Sequence, residues 1–270
     1  MCNYSPVLTI AGSDSGGCAG IQADIKSISA CGGFAASVIT ATTAQNTQGV
    51  LDIHAIPLAH LSLQLDAVLQ DIDFKAIKIG MLHSAEVIEL VQDKLAQYQA
   101  KNIVLDPVMV ATSGDKLIDQ NAVNRLRQFI PHTLLITPNL PEAEVLLGRA
   151  ITSASQQEAA VELAKAFNTS VLLKGGHATA SLNAEITDVL YSITTNQIHS
   201  FTKPIIDTNN THGTGCSLSA AIAAFLARGL PLSEAVQQGC HYVHQAIESG
   251  SNKRLGKGNG PIDHFFFLPK

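Results

Sequence analysis

The sequence predicts an α/β fold of three layers, α/β/α, with a mostly parallel central sheet and a small antiparallel hairpin. Three observations lead there. Short apolar runs alternate with segments of helical periodicity along the chain, the pattern of βα repeats. Several of the runs are apolar at nearly every position, as strands covered on both faces must be. One stretch, 186–201, breaks the alternation with two strand-like runs side by side.

Val7 to Ile10 reads as the first strand, running into glycine-rich sequence. Ile21 to Ala30 reads as a helix stopped by Gly32-Gly33. Further strands are expected at Ser37 to Thr40, Ala76 to Ile79, Ile103 to Leu105, Leu134 to Thr137 and Val171 to Lys174. Helices are expected at Leu58 to Leu69, Ala85 to Tyr98 and Gln156 to Phe167. Ile186 to Tyr191 and Gln197 to Phe201 flank Thr194-Thr195-Asn196 as a hairpin. Cys216 to Ala227 is an alanine-rich apolar helix, and Ser233 is the expected cap of a last helix ending near Ser249. The whole chain, 1–270, reads as one domain.

Composition narrows the function. The chain has 270 residues, 46% of them hydrophobic, and a net charge of −5. That balance offers no basic footprint for nucleic acid. No apolar run is long enough to span a membrane, and the N-terminus does not read as a signal peptide. Five cysteines without a C-x-x-C pair argue against a disulfide framework or a structural zinc site, so a reducing cytoplasm is the expected setting.

Polar residues recur just after the strands: Asp14, Gln45, Asp106, Asn139 with Glu142, and Lys174. Open α/β sheets bind ligands at the carboxyl ends of their strands, so this recurrence marks a site. Gly12 to Gly20 holds four glycines, an aspartate and two serines ahead of a helix. It is neither a Walker A loop, since Cys18-Ala19 stand where Lys-Ser or Lys-Thr would be, nor a dinucleotide fingerprint. It allows close backbone approach to a ligand, and an ordinary tight turn is the alternative.

Asn210 to Cys216 is the second glycine-rich segment. Gly213 and Gly215 let successive N–H groups of Gly213 to Cys216, including those of Thr214 and Gly215, converge, and the following helix adds its positive end. The result is an anion hole suited to a transferring phosphoryl group. Cys216 falls in the first helical turn, where the dipole is expected to lower the thiol pKa and favour a base. A buried, inert cysteine is the alternative. Asp106 and Glu142 are candidate Mg²⁺ ligands, and Lys174 is a candidate phosphate cation. Gln45 offers a donor and an acceptor together, which suits an aminopyrimidine edge. A turn aspartate, a helix-start glutamate, a snorkelling lysine and a surface glutamine are the structural alternatives.

These motifs resemble a known family. Gly12-Ser13-Asp14 and Ala19 to Asp24, Val38 to Ala41, Thr43 to Thr47, Lys78 to Leu82 and Asp106 to Met109 all take part. Thr137-Pro138-Asn139, Glu142-Ala143, Leu173 to His177, Asn210 to Cys216 and Gly256 to Pro261 continue the match in order. Together they look like the bacterial hydroxymethylpyrimidine/phosphomethylpyrimidine kinases of the ribokinase-like superfamily. The resemblance implies a ribokinase-like fold and ATP-dependent phosphorylation of 4-amino-5-hydroxymethyl-2-methylpyrimidine, then of its monophosphate, in thiamine biosynthesis. It implies Gln45 on the aminopyrimidine, with Gly12, Met81, Val108 and Asp24 around it. It implies Lys174, Thr211, Gly213 and Gly215 on ATP, Mg²⁺ at Asp106 and Glu142, Cys216 as base, and a homodimer. Cysteine at 216 favours the pyrimidine and pyridoxal branch over the sugar kinases. A pyridoxal kinase is the nearest rival, and a non-catalytic pyrimidine or nucleotide sensor is the remote one. Cys18, Asn209 and Asn259 depart from the family's usual glycine, lysine and histidine.

Overall fold

The computed structural model describes residues 4–109, 118–176 and 185–269. Its elements in chain order are β1 (Pro6–Asp14), α1 (Gly20–Ala30), β2 (Phe34–Asn46), β3 (Gly49–Ala55), α2 (Leu58–Leu69), β4 (Ala76–Ile79) and α3 (Ala85–Gln97). Then come β5 (Ile103–Leu105), α4 (Gln120–Phe129), β6 (Leu135–Ile136), α5 (Leu140–Leu147), α6 (Gln156–Phe167) and β7 (Ser170–Leu173). The chain continues through β8 (Glu185–Ser192), β9 (Gln197–Pro204), α7 (Thr214–Ala227) and α8 (Leu232–Gly250).

One sheet runs in the order β3-β2-β1-β4-β5-β6-β7-β8-β9. The strands from β2 to β7 are parallel, while β3 at one edge and β8–β9 at the other run antiparallel. The period of two along each strand separates two cores. Leu8, Ile10, Ile77 and Ile79 pack with residues of α2 to α6 on one face. Val7, Ala76, Val104 and Leu135 pack against α7 and α8 on the other. The helices thus form the two outer layers.

The expected helices and the hairpin are present, with strands and ends shifted by a few residues. β2 is the exception. It runs to Asn46 because β3 pairs with its distal half from Ala41 to Asn46, so Gln45 lies on a strand rather than in a loop. Ser233 does not cap the last helix: α8 starts at Leu232 after Pro231, with no side-chain cap. The proline fixes the backbone angle at the entry to the helix and leaves Ser233 inside its first turn.

The chain moves from β1 to β2 on one side, then returns to place β4 on β1's other side. Outside the carboxyl ends of β1 and β4 lies the crevice where open α/β sheets bind ligands.

Candidate active site

The first half of the crevice is the start of α7. Gly213 caps the helix with φ +83°, a left-handed conformation, and a β-carbon there would overlap the Cys18 carbonyl oxygen. Only glycine serves this position. The turn therefore seats directly on the loop between β1 and α1. Asp106, past the end of β5, and Lys174, past the end of β7, both reach the first turn of α7. A β-carbon on Gly215 would stand 3.3 Å from Asp106 Oδ2 and 3.4 Å from Lys174 Nζ. Lys174 Nζ donates to Asp106 Oδ1 at 3.0 Å, and Thr137 Oγ1 donates to the same oxygen at 3.2 Å. Burial alone would lower the Lys174 ammonium, but Asp106 and Glu142 outweigh it and hold it above its ordinary range. Thr211 precedes the turn, and its carbonyl accepts from the Thr214 N–H at 3.3 Å.

Glu142 arrives on α5. Asn139 caps this helix in a reciprocal box: its side chain accepts from the Glu142 N–H, and Glu142 Oε2 accepts from the Asn139 N–H, both at 2.8 Å. The box fixes the glutamate at the carboxyl end of the sheet. Burial pushes its carboxyl up to about 7, against the pull of Lys174 and with the Asp106 charge adding to the rise. Two neighbouring carboxylates, one of them resisting ionisation, form a donor set that suits a hard divalent cation such as Mg²⁺.

Cys216 sits in the first turn of α7 as expected, but its titration goes the other way. Burial pushes the thiol up to about 11, and the neighbouring Lys78 ammonium offsets only part of that rise. Desolvation outweighs the helix dipole at this partly buried thiol.

Close to Cys216 lies an ion pair between Asp24 and Lys78, a lysine to which the sequence assigned no role. Lys78 and Asp24 have no exposed surface and meet at 2.8 Å, and Thr9 Oγ1 donates to Asp24 Oδ2 at 2.6 Å. Asp24 was expected in the substrate pocket, yet it touches no open space. Its carboxylate is turned toward Lys78, where it supports the floor of the site. The signal for Lys78 was there to be read: a lone charge in the otherwise apolar strand Ala76-Ile77-Lys78-Ile79.

The second half of the crevice faces β1 and β2. Gly12 lies against Met81, whose Cε would be 2.6 Å from a β-carbon on that glycine. Val108 follows on the turn after β5, half-buried, its N–H donating to the Asp106 carbonyl at 2.8 Å. Asp14 is a staple of the loop. It accepts from the N–H groups of Gly16, Cys18 and Ala19 at 2.8, 2.9 and 2.8 Å. Asp14, Cys18 and His212 also form a buried group with ligand atoms within 4.8 Å of one another. Three backbone N–H donors hold the Asp14 carboxylate in the loop, so the group reads as loop structure.

Gln45 links the two halves. Its Nε2 is 3.1 Å from His212 Nε2, next to the Gly213 turn, and its Oε1 is 3.1 Å from Thr43 Oγ1. The loop 208–210 and the segment 251–258 enclose a cavity of about 270 Å³ beside this turn. Asn209 is exposed there, and the Asn259 N–H donates to the Thr47 carbonyl at 2.9 Å, closing the C-terminal segment on β2.

Comparison with known proteins identifies the family. Residues 14–263 match the phosphomethylpyrimidine kinase family. A hydroxymethylpyrimidine/phosphomethylpyrimidine kinase of Rhizobium meliloti is 47% identical over 261 residues, 96% of each chain. A thiamine biosynthesis bifunctional protein of Geobacter sulfurreducens is 47% identical over 260 residues, 96% of this chain, which spans only 52% of that protein. Among solved structures, an ADP complex of Bacillus subtilis pyridoxal kinase is 32% identical, with a TM-score of 0.88 over 98% of this chain and 99% of that one. With these matches and the ribokinase-like architecture, the chain belongs to the phosphomethylpyrimidine kinase family.

Proposed function

We propose that this kinase transfers the γ-phosphoryl group of ATP to 4-amino-5-hydroxymethyl-2-methylpyrimidine and then to the resulting monophosphate. The observation that carries the reading is the convergence of Asp106 and Lys174 on Gly215 at the start of α7, with Gln45 tied to the same turn through His212. An anion hole and an aminopyrimidine reader are thereby held side by side.

Lys174 and the N–H groups of the segment Gly213 to Cys216 bear the charge of the moving phosphoryl group. Thr211 flanks the ATP phosphates. Asp106 and Glu142 would hold Mg²⁺, which supplies charge neutralisation between the phosphates when bound. Gln45 pairs with the amino and ring-nitrogen edge of the pyrimidine, and Gly12, Met81 and Val108 wall its ring. In the first step the substrate hydroxyl must lose a proton, and Cys216 takes it as a thiolate. Burial keeps that thiolate a minority form at neutral pH but makes it a strong base. In the second step the nucleophile is an ionised phosphate oxygen, so no base is needed. A homodimer and a cytoplasmic setting complete the reading.

Pyridoxal phosphorylation is the second reading, favoured by the pyridoxal kinase neighbour of 32% identity. A coupled ATP assay on the pyrimidine alcohol, its monophosphate and pyridoxal separates the two. Diphosphate formation supports the proposal, and turnover of pyridoxal alone overturns it.

A further inference from the structure

We infer that His212 is a positioning residue for Gln45, setting which end of the Gln45 carboxamide faces the pyrimidine and so which way up the ring binds. The inference rests on the aminopyrimidine reading of Gln45 given above.

Gln45 lies near the end of β2, where the ladder to β3 shifts register and Leu51 of β3 is the extra residue. Its carboxamide meets His212 from the anion-hole turn on one side and Thr43 from its own strand on the other. His212 is itself fixed. It is 7% exposed, and its N–H donates to the Gly260 carbonyl at 3.0 Å.

Proton counting shows why His212 decides. The Thr43 hydroxyl carries one proton and lies 3.1 Å from Gln45 Oε1 and 3.0 Å from the Ser13 carbonyl oxygen. If the proton goes to Gln45, the amide oxygen faces Thr43 and the amide nitrogen faces His212, whose Nε2 must accept. If it goes to Ser13, Thr43 can only accept, the amide turns over, and His212 must donate. Thr43 is compatible with either arrangement, so the choice falls to the imidazole. The structure holds the first arrangement. Burial, working against the Asp14 carboxylate 3.8 Å away, lowers the affinity of His212 for a second proton and leaves one ring nitrogen free to accept, and the facing Gln45 Nε2 donor makes that nitrogen Nε2. The proton then sits on Nδ1, which is buried without a hydrogen-bond partner among the described residues. Such an orphaned donor is costly, and a positional role accounts for its retention.

The orientation matters to the ligand. An aminopyrimidine edge sets an amino donor beside a ring-nitrogen acceptor. The amide oxygen takes the amino hydrogen, and the amide N–H serves the ring nitrogen. Turning the amide over reverses that order. The ring must then also turn over to pair, which carries its hydroxymethyl group away from Cys216.

The test is a double-mutant cycle on the wild-type chain, His212→Leu, Gln45→Ala and the pair, read as kcat/KM for the pyrimidine alcohol. Thr43→Val serves as a second variant outside the anion-hole turn, and thermal melts confirm folding. His212→Leu and Thr43→Val are each expected to lower kcat/KM about tenfold, the scale of one positioned hydrogen bond. Each loss should shrink to less than about threefold in the Gln45→Ala background. With pyridoxal, which lacks the amino group, His212→Leu should have the smaller effect. A loss that persists undiminished without Gln45 overturns the inference and leaves the proposed function standing. A wild-type enzyme that turns over no aminopyrimidine overturns both.

Discussion

Replacing Glu142 by glutamine tests the charge logic of the site without any substrate. Glu142 is 5% exposed, and its carboxyl is displaced from an ordinary 4.5 to about 7, chiefly by burial. The folded state therefore holds its proton more tightly than the unfolded chain does. Stability from this group is fully present below about 4.5, falls as pH rises, and is lost above about 7. At about 1.4 kcal/mol per pH decade, the loss is about 3 kcal/mol. Glutamine keeps an oxygen that can accept from the Asn139 N–H, so the capping box survives the change. Urea unfolding in chelator at about pH 5 and about pH 8 should show the wild type losing about 3 kcal/mol more than Glu142→Gln between the two. Mg²⁺ at the higher pH should return stability to the wild type, by about 2.7 kcal/mol at a hundredfold excess over Kd, and much less to the variant. Parallel pH dependences for the two proteins would refute the reasoning, because they would mean that Glu142 ionises as easily folded as unfolded.

Three further outcomes follow from the geometry. Cys216→Ala should lower the first phosphorylation far more than the second. Below about 11 the thiolate fraction grows tenfold per pH unit, so wild-type kcat for the alcohol should rise through the neutral range while the monophosphate step stays flat; parallel pH–rate profiles would remove the base role. Gly213→Ala sets a β-carbon into the Cys18 carbonyl at φ +83°, and steady-state kinetics should show kcat down by at least about 100-fold, the effect of losing an anion-hole donor. Lys78→Met alone should cost about 3–5 kcal/mol in urea unfolding by stranding Asp24, and Asp24→Leu added to it should restore most of that stability.

The layered fold was legible because its strands are buried on both faces and leave near-continuous apolar runs. β3 was not, because Gly49 to Ala55 is an exposed edge strand whose residues carry no core pattern. α5 was glimpsed only as a helix start at Glu142; Pro141 sits in its first turn, where its missing N–H costs nothing. Asp106, Lys174, Gly213 and Gly215 were legible as strand-end and helix-start chemistry, and the structure brings all four together. Asp24 was misplaced because a motif fixes a residue's position in the chain and not the direction of its side chain. The rise in the Cys216 pKa could not be read from sequence either. Helix position argues for a low pKa and burial for a high one, and only the packing decides between them. His212 stood in plain view beside Gly213, but its partner Gln45 is 167 residues away, and no local pattern links them.

The buried charges explain how one sheet face serves both stability and catalysis. Side-chain alternation puts Thr9 and Lys78 on the face toward α7, among Val7, Ala76 and Val104. Lys78 is matched by Asp24, and Lys174 by Asp106. Among the described residues Glu142 shares Lys174 with Asp106 and has no ammonium of its own, so this buried set holds three carboxylates and two lysines. In the ligand-free protein the surplus is met by raising the Glu142 pKa, which keeps the group partly protonated at neutral pH. ATP phosphates alone would worsen the imbalance beside Lys174. On the proposed reading, a divalent cation held by Asp106 and Glu142 would relieve it and restore the carboxylate. The third carboxylate would then couple nucleotide binding to cation binding: phosphate without metal would meet a site that is already too negative, and metal alone would find two carboxylates of which one is still half protonated near pH 7.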